Sequence, residues 1–292
     1  MKLQQFKYHE PRGLEEALSL LDRFGHLAAI LAGGTDLVPL MKQKTVQPKH
    51  LINIKHLTEL DFIRGDSVLE IGALTTIRAI EKSDFLQEKC PLLSQTASRI
   101  GYVQIRNVGT IGGNVCNASP AADFAPALMV LDATVEIASI NGKRSTSINS
   151  FFLSPGETVL DKNEMVIGFR IPGTDERARS MFKKVSSGNS SGLAVASVAV
   201  LLSLGENTGA VTEARIAVGS MGPTPIRCLQ TEQLLVGKKI SDEIRNIVSQ
   251  KIVEETGPIS DIRGSKEYRI HLIRVLTKDA LMEICRGGFE LK

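Results

Sequence analysis

Tryptophan is absent from this 292-residue chain, and aromatic residues make up only 4% of it. So few flat rings argue against the stacking platforms that hold single-stranded nucleic acid. No sign of charge dominates either: 35 basic residues stand against 32 acidic ones, a net charge of +3. That balance leaves no electrostatic footprint for nucleic acid. No basic run of five or more residues occurs, which removes a polybasic membrane patch. The longest nearly apolar run, Leu193 to Leu204, falls short of the roughly 20 residues a membrane-spanning helix needs, and reads as buried core. The opening MKLQQFKYHEP lacks the apolar segment of a secretory leader. The four cysteines, Cys90, Cys116, Cys228 and Cys285, match no zinc or iron–sulfur spacing. Read as reduced thiols, they predict a cytoplasmic protein.

What remains is an ordinary soluble composition, 42% hydrophobic and 23% charged. A chain of about 300 residues buries roughly 75% of its unfolded surface and needs no covalent staples. Leu14, Ala17, Leu18 and Leu21 recur at helical spacing before Gly25, and Ala28–Leu31 and Leu51–Ile54 read as strands. This predicts a first lobe over 1–55, with a short helix over 37–41. A second lobe over 56–175 takes a strand at 68–71, helices at 75–82 and 91–100, a hairpin across Asn141-Gly142 and a strand at 166–171. The polar stretch PGTDERAR marks the next boundary. The third lobe, 176–292, opens with strands at 180–185, 195–204 and 211–218 and ends in helices at 240–255 and 268–285. Strands and helices mix without regular alternation, which predicts an α+β fold rather than a doubly wound sheet.

Gly-Gly occurs three times, and two instances share a form: Ala32-Gly33-Gly34-Thr35-Asp36 and Gly109-Thr110-Ile111-Gly112-Gly113-Asn114. Paired glycines turn the backbone sharply and bring bare N–H groups against an anion, and a following helix adds its dipole. Thr35, Thr110 and Asn114 add side-chain bonds, so two such loops are suited to clamp the two phosphates of one dinucleotide. The plain alternative is that each pair is only a turn. Gly287-Gly288 has neither a strand before it nor a polar residue after it. Neither loop fits G-x-G-x-x-G or the P-loop pattern, so a Rossmann site or an NTPase is not supported. A carboxylate beside a pyrophosphate repels it, so Asp36 reads as a cap for the following helix.

At these loops the sequence resembles the FAD-binding medium subunits of the molybdenum hydroxylases, the group that includes carbon monoxide dehydrogenase and xanthine dehydrogenase. The matching stretches are AGGTDL at 32–37, QIRNVGTIGGNVCNASPAADFAPAL at 104–128, GSMGPTPIR at 219–227 and DIRGSKEYRIHL at 261–272. The resemblance runs nearly the full chain. It implies a two-lobed FAD-binding fold, similar to that of vanillyl-alcohol oxidase, with a C-terminal α+β lobe. It implies that Leu31, Ala32, Gly33, Gly34, Thr35, Asp36 and Leu37, with Thr110, Ile111, Gly112, Gly113 and Asn114, line the pyrophosphate. Asp123 would accept hydrogen bonds from the flavin or its ribityl chain; the alternative is an N-cap for a helix at 124–131. Ile100 and Val166 would pack near the ring system, or serve as plain core. Lys183 would place a cation at the flavin pyrimidine edge; the alternative is that it is the solvated lysine of Phe182-Lys183-Lys184.

The same resemblance implies function. Substrate is oxidised at molybdopterin on a large subunit, and electrons pass through [2Fe–2S] clusters on a small subunit to this chain's FAD, then to NAD or another acceptor. The assembly expected is a dimer of heterotrimers. In one branch, 4-hydroxybenzoyl-CoA reductase, the medium subunit carries an extra iron–sulfur cluster; the scattered cysteines here cannot hold one. With no His or Cys directly beside either glycine loop, the FAD is expected to be non-covalent. The competing readings are a stand-alone flavin oxidase or reductase of the same fold and a flavin-free scaffold subunit.

Overall fold

The structure, a computed structural model, describes residues 3–173, 175, 177–188 and 192–286. Gly287-Gly288 lies outside them. In the first lobe, β1 (Lys7–His9), α1 (Leu14–Phe24), β2 (Ala28–Leu31), α2 (Leu37–Lys42) and β3 (His50–Asn53) follow one another. The three strands form a parallel sheet in the order β1-β3-β2. Helix α1 buries Ala17, Leu18 and Leu21, the predicted stripe, and Gly25 caps it at φ 46°. Strand β1 escaped the sequence reading because three half-exposed residues, KYH, carry no apolar alternation.

The second lobe begins with β4 (Ile63–Gly65) and β5 (Val68–Gly72). A run of short helices follows: α3 (Ile77–Lys82), α4 (Asp84–Lys89), α5 (Pro91–Ser98), α6 (Val103–Arg106), α7 (Ile111–Cys116) and α8 (Phe124–Val130). Then come the Asn141-Gly142 hairpin β6 (Thr134–Ser139) and β7 (Gly142–Ser147), the small pair β8 (Phe152–Ser154) and β9 (Glu157–Thr158), and β10 (Met165–Pro172). The last strand inserts between earlier ones, giving the order β4-β5-β10-β6-β7. Its apolar MVIGFRIP suits that central place.

The third lobe is an antiparallel sheet of β11 (Ala178–Ser186), β12 (Ala194–Leu204), β13 (Val211–Gly219) and β14 (Ile226–Arg227), backed by α9 (Leu229–Leu235), α10 (Asp242–Glu254) and α11 (Lys266–Cys285). Strand alternation divides this sheet between two cores. Phe182, Ala199, Leu201 and Ala217 join the core of the second lobe, with Phe124 and Leu128 of α8. Met181, Val198, Val200, Leu202 and Val218 pack with Leu276, Leu281 and other apolar residues of α11. The apolar run at 193–204 is therefore a strand covered on both faces. No helix among the described residues is long and apolar enough to cross a membrane.

Short as it is, α8 is held at both ends by the third lobe. At its N-terminus Asp123 pairs with Lys184 of β11, 2.6 Å away. At its C-terminus, Arg227 donates to Met129 O at 2.9 Å and to Asp132 at 2.7 Å, and Arg215 donates to Val130 O at 3.3 Å. Orphan carbonyls at a helix end and nearby cations suit one another. Arg227 also pairs with the largely buried Glu232, whose Oε1 accepts the N–H of Ile216. Replacing Arg227 with Met leaves Glu232 without its cation, so Arg227→Met should cost about 2–4 kcal/mol by urea unfolding. A loss below about 0.5 kcal/mol, the usual range of an isolated surface change, would show that the clamp is not structural.

Candidate functional site

Between the first two lobes, and closed in part by the third, lies a mostly apolar cleft of about 770 Å³. That is within the range of roughly 300–1,000 Å³ typical of ligand sites. The first glycine loop enters it with Ala32 to Leu37, and α7 with Gly112, Gly113 and Asn114 behind Thr110. Ile100, Asp123 and Val166 line it as well. Thirteen of the sixteen residues singled out above therefore share one cavity. Sequence reasoning missed Ala73 and Leu74 after β5, Tyr102, Ser119, Glu164 and Lys184. Most sit in connections whose direction no periodicity sets.

Three residues fall elsewhere, Leu31 and Lys183 through the alternation of their strands and Ile111 through the buried face of α7. Leu31 turns from the cleft to pack with Met41 and Leu51, while Ile30 faces the cleft. Ile111 is fully buried in the core of the second lobe. Lys183 points to the α11 side of its sheet and pairs with Glu283. Its neighbour reaches the cleft instead, because Lys184 shares the face of Phe182. The Lys184 side chain is only 3% exposed and is bonded to Asp123 Oδ2 at 2.6 Å and Arg99 O at 3.1 Å. Of the two lysines, Lys184 is thus the one shielded from solvent and Lys183 the more exposed.

The glycine loops are not equivalent. They touch: a Cβ on Gly33 would lie 2.2 Å from Val108 O and 2.8 Å from Gly109 Cα. Gly34 takes φ 76°, where a side chain is strained. In the first loop the N–H groups of Gly33, Gly34, Thr35 and Asp36 find no acceptor among the described residues. In the second loop all but that of Thr110 are consumed at home. Ile111 donates to Thr75 O at 3.1 Å, Gly112 to Ala73 O at 3.0 Å, and Gly113 to the Thr110 hydroxyl at 3.0 Å. Thr110 is the N-cap of a helix the sequence reading left as a loop. Free donors for an anion therefore belong chiefly to the first loop.

The expected caps are also redistributed. Asp36 and Asp123 precede α2 and α8, yet both have helical backbone angles and neither makes a side-chain cap bond. Asn114 Oδ1 accepts the Phe124 N–H instead, at 3.4 Å. Asp123 is left to face the cleft, where its Oδ1 is buried without a hydrogen-bond partner. Burial pushes its carboxyl up to about 6, against the pull of Lys184. Asp36 sits at the cleft mouth, and the protein crowding it raises its carboxyl above the ordinary value, opposed by a bond to Thr35. Cys116 also reaches the cleft wall, closer than its place in the sequence suggested. Burial pushes its thiol up to about 12, which keeps it a poor nucleophile.

These features define an α+β protein with a mostly apolar ligand cleft between its lobes. A family model described as "FAD binding domain in molybdopterin dehydrogenase" matches residues 4–174, and one described as "CO dehydrogenase flavoprotein C-terminal domain" matches residues 180–284. The glyceraldehyde dehydrogenase medium chain of Sulfolobus acidocaldarius is 34% identical, over 96% of this chain and 98% of its own length. A putative xanthine dehydrogenase FAD-binding subunit of Escherichia coli K12 is 33% identical, over 98% of each. Carbon monoxide dehydrogenase from Hydrogenophaga pseudoflava, solved without the Mo-pyranopterin moiety of its cofactor, superposes with a TM-score of 0.94. The two chains are 31% identical, and the match covers 99% of this chain and 100% of that one. The chain belongs to the FAD-binding medium subunits of the molybdenum hydroxylases, a family of oxidoreductases.

Two outcomes are expected from this geometry. A Cβ on Gly112 would meet Ala73 O at 2.6 Å, whereas on Gly113 it would meet only Thr110 Oγ1, at 3.0 Å. Gly112→Ala should destabilise the protein by about 1–3 kcal/mol in urea. Gly113→Ala should stay folded yet lose flavin on gel filtration; full flavin retention would show that the Gly113 surface is not used. The second outcome concerns pH. The folded chain holds the Asp123 proton more tightly than the unfolded chain does, between about pH 4 and 6. Stability from this group is thus present below about 4 and is lost as pH rises through 6. Asp123→Asn should flatten that part of the pH–stability profile of flavin-free protein; an unchanged slope would contradict it.

Proposed function

We propose that this chain holds one FAD, non-covalently, in the interlobe cleft and serves as the electron-transfer subunit of a molybdenum hydroxylase. In this reading it takes electrons from [2Fe–2S] clusters on a small subunit and passes them to NAD or another acceptor. Substrate is oxidised at molybdopterin on a large subunit, in a cytoplasmic dimer of heterotrimers, since closed twofold assemblies are the commonest. Bound FAD supplies the redox chemistry; the chain supplies binding, orientation and electrostatics.

The observation that carries the reading is the complementary set of unmet hydrogen-bonding groups in one cleft. The N–H groups of Gly33 to Asp36 suit phosphate oxygens, and Asp123 Oδ1 suits an N–H or O–H of the flavin end. The apolar wall of Ile100 and Val166 suits the ring system. Lys184 holds Asp123 in place and sets a positive charge at the cleft, whereas the family resemblance implied Lys183 as the cation, at the flavin pyrimidine edge. The division at 55 and 175 into two FAD-binding lobes and a C-terminal lobe belongs to the same proposal. The names of the relatives, medium chains and FAD-binding subunits of dehydrogenases, support the assignment to a complex.

Acid release and chromatography of the bound flavin test this directly. One FAD per chain, fully released, is expected; FMN, or flavin that stays on denatured protein, would contradict it. Tagged chain purified from its host should bring down two partners, one with iron and one with molybdenum. A lone chain that oxidises an organic substrate would favour the stand-alone oxidase.

A further inference from the structure

The segment between α5 and α6 forms one wall of the cleft through Ile100, Gly101 and Tyr102. Gly101 has φ 51°, and a Cβ there would meet Ile105 Cγ2 at 3.0 Å, so the turn is specific to glycine. Its carbonyls are all committed. Arg99 O accepts from Lys184 at 3.1 Å, Ile100 O and Gly101 O from Arg106 Nη1 at 3.1 and 2.8 Å, and Tyr102 O from the N–H of Ile105 at 2.9 Å. The N–H groups of Gly101 and Tyr102, by contrast, find no acceptor among the described residues.

In a trans peptide the N–H points opposite to the preceding carbonyl. With the carbonyls of Ile100 and Gly101 drawn to Arg106, the N–H groups of Gly101 and Tyr102 are turned off the guanidinium. Arg106 is itself fixed: its Nε donates to Glu81 Oε2 at 2.8 Å, with both side chains largely buried, and Arg78 joins the same carboxylate at 3.0 Å. Only a planar guanidinium can hold a carboxylate through one nitrogen and two carbonyls through another. A second, independent sign of a ligand lies in the same cleft. Asp123 Oδ1 is buried and unpartnered, and Lys184 ties Asp123 to this segment through Arg99 O.

We infer that Arg106 is a positioning residue of the cofactor cleft: held by Glu81, it locks the wall at Ile100–Tyr102 and presents the Gly101 and Tyr102 N–H groups to acceptor atoms of the bound cofactor. The identity of that cofactor rests on the FAD reading above. The arginine lies in α6, out of the cleft lining, and acts only through the backbone it holds.

The test uses the full chain with Arg106→Met, Arg106→Lys and Glu81→Gln. Three quantities are read: amide hydrogen exchange across 99–105, FAD affinity, and the visible spectrum and midpoint potential of the bound flavin. Arg106→Met should speed exchange in that segment and weaken FAD about tenfold, the loss expected when one or two hydrogen bonds are misplaced. It should also shift the flavin bands and potential, which a merely structural role would leave in place. Arg106→Lys should restore only part of each effect, and Glu81→Gln should move all three in the same direction by less. If Arg106→Met fails to fold, the other two variants decide. Wild-type exchange, affinity and spectrum in the variants would overturn the inference. Wild-type protein that takes up no FAD would instead overturn the reading of the site and the donor role with it, while exchange across 99–105 would still decide whether Arg106 locks the wall.

Discussion

Lys184 and Asp123 form an ion pair nearly sealed from water, and such a pair persists only while both partners are held in register. Much of the structure serves that registration. Asp123 sits at the start of α8, whose far end is gripped by Arg227 and Arg215. Lys184 sits on β11, whose sheet has apolar residues on both faces and so cannot slide against either neighbour without exposing one of them. The third lobe is thereby the element that fixes a charge in a cleft formed mainly by the other two.

The glycine pairs divide the remaining work. Gly33 and Gly112 allow backbone to lie on backbone, joining the first lobe to the second and α7 to the end of β5. The neighbouring Gly34 and Gly113 also line the cleft, and there an added Cβ would meet side chains rather than backbone. A cofactor bridging two lobes needs both: a rigid seam where they meet, and a bare surface beside it. The buried, unmet oxygen of Asp123 is costly for an empty protein, and a ligand that satisfies it gains accordingly.

Most of the strands and longer helices were legible in the sequence because each carries its own period. Helix α1 shows its stripe, β12 its unbroken apolar run, and the Asn141-Gly142 turn its hairpin. The short elements were not. Helix α7 looked like a loop because its glycines are poor helix formers; tertiary packing on Ala73 overrides that preference. The placing of β10 between β5 and β6 is non-local and leaves no mark in the strand itself. The site was legible where a motif touched it, but the lysine that lines the cleft is Lys184 and not the Lys183 expected there. Both faces of β11 are buried, so alternation alone gives two opposite directions and not which one meets the cleft.

That one-residue distinction carries the account. The most direct measurement is the midpoint potential and FAD affinity of Lys184→Met and Lys183→Met beside the parent protein. A cation at the cleft favours the anionic reduced flavin, so Lys184→Met should lower the potential and weaken FAD, while Lys183→Met should match the parent in both. A normal potential and affinity in Lys184→Met, with the change in Lys183→Met instead, would contradict the site described here.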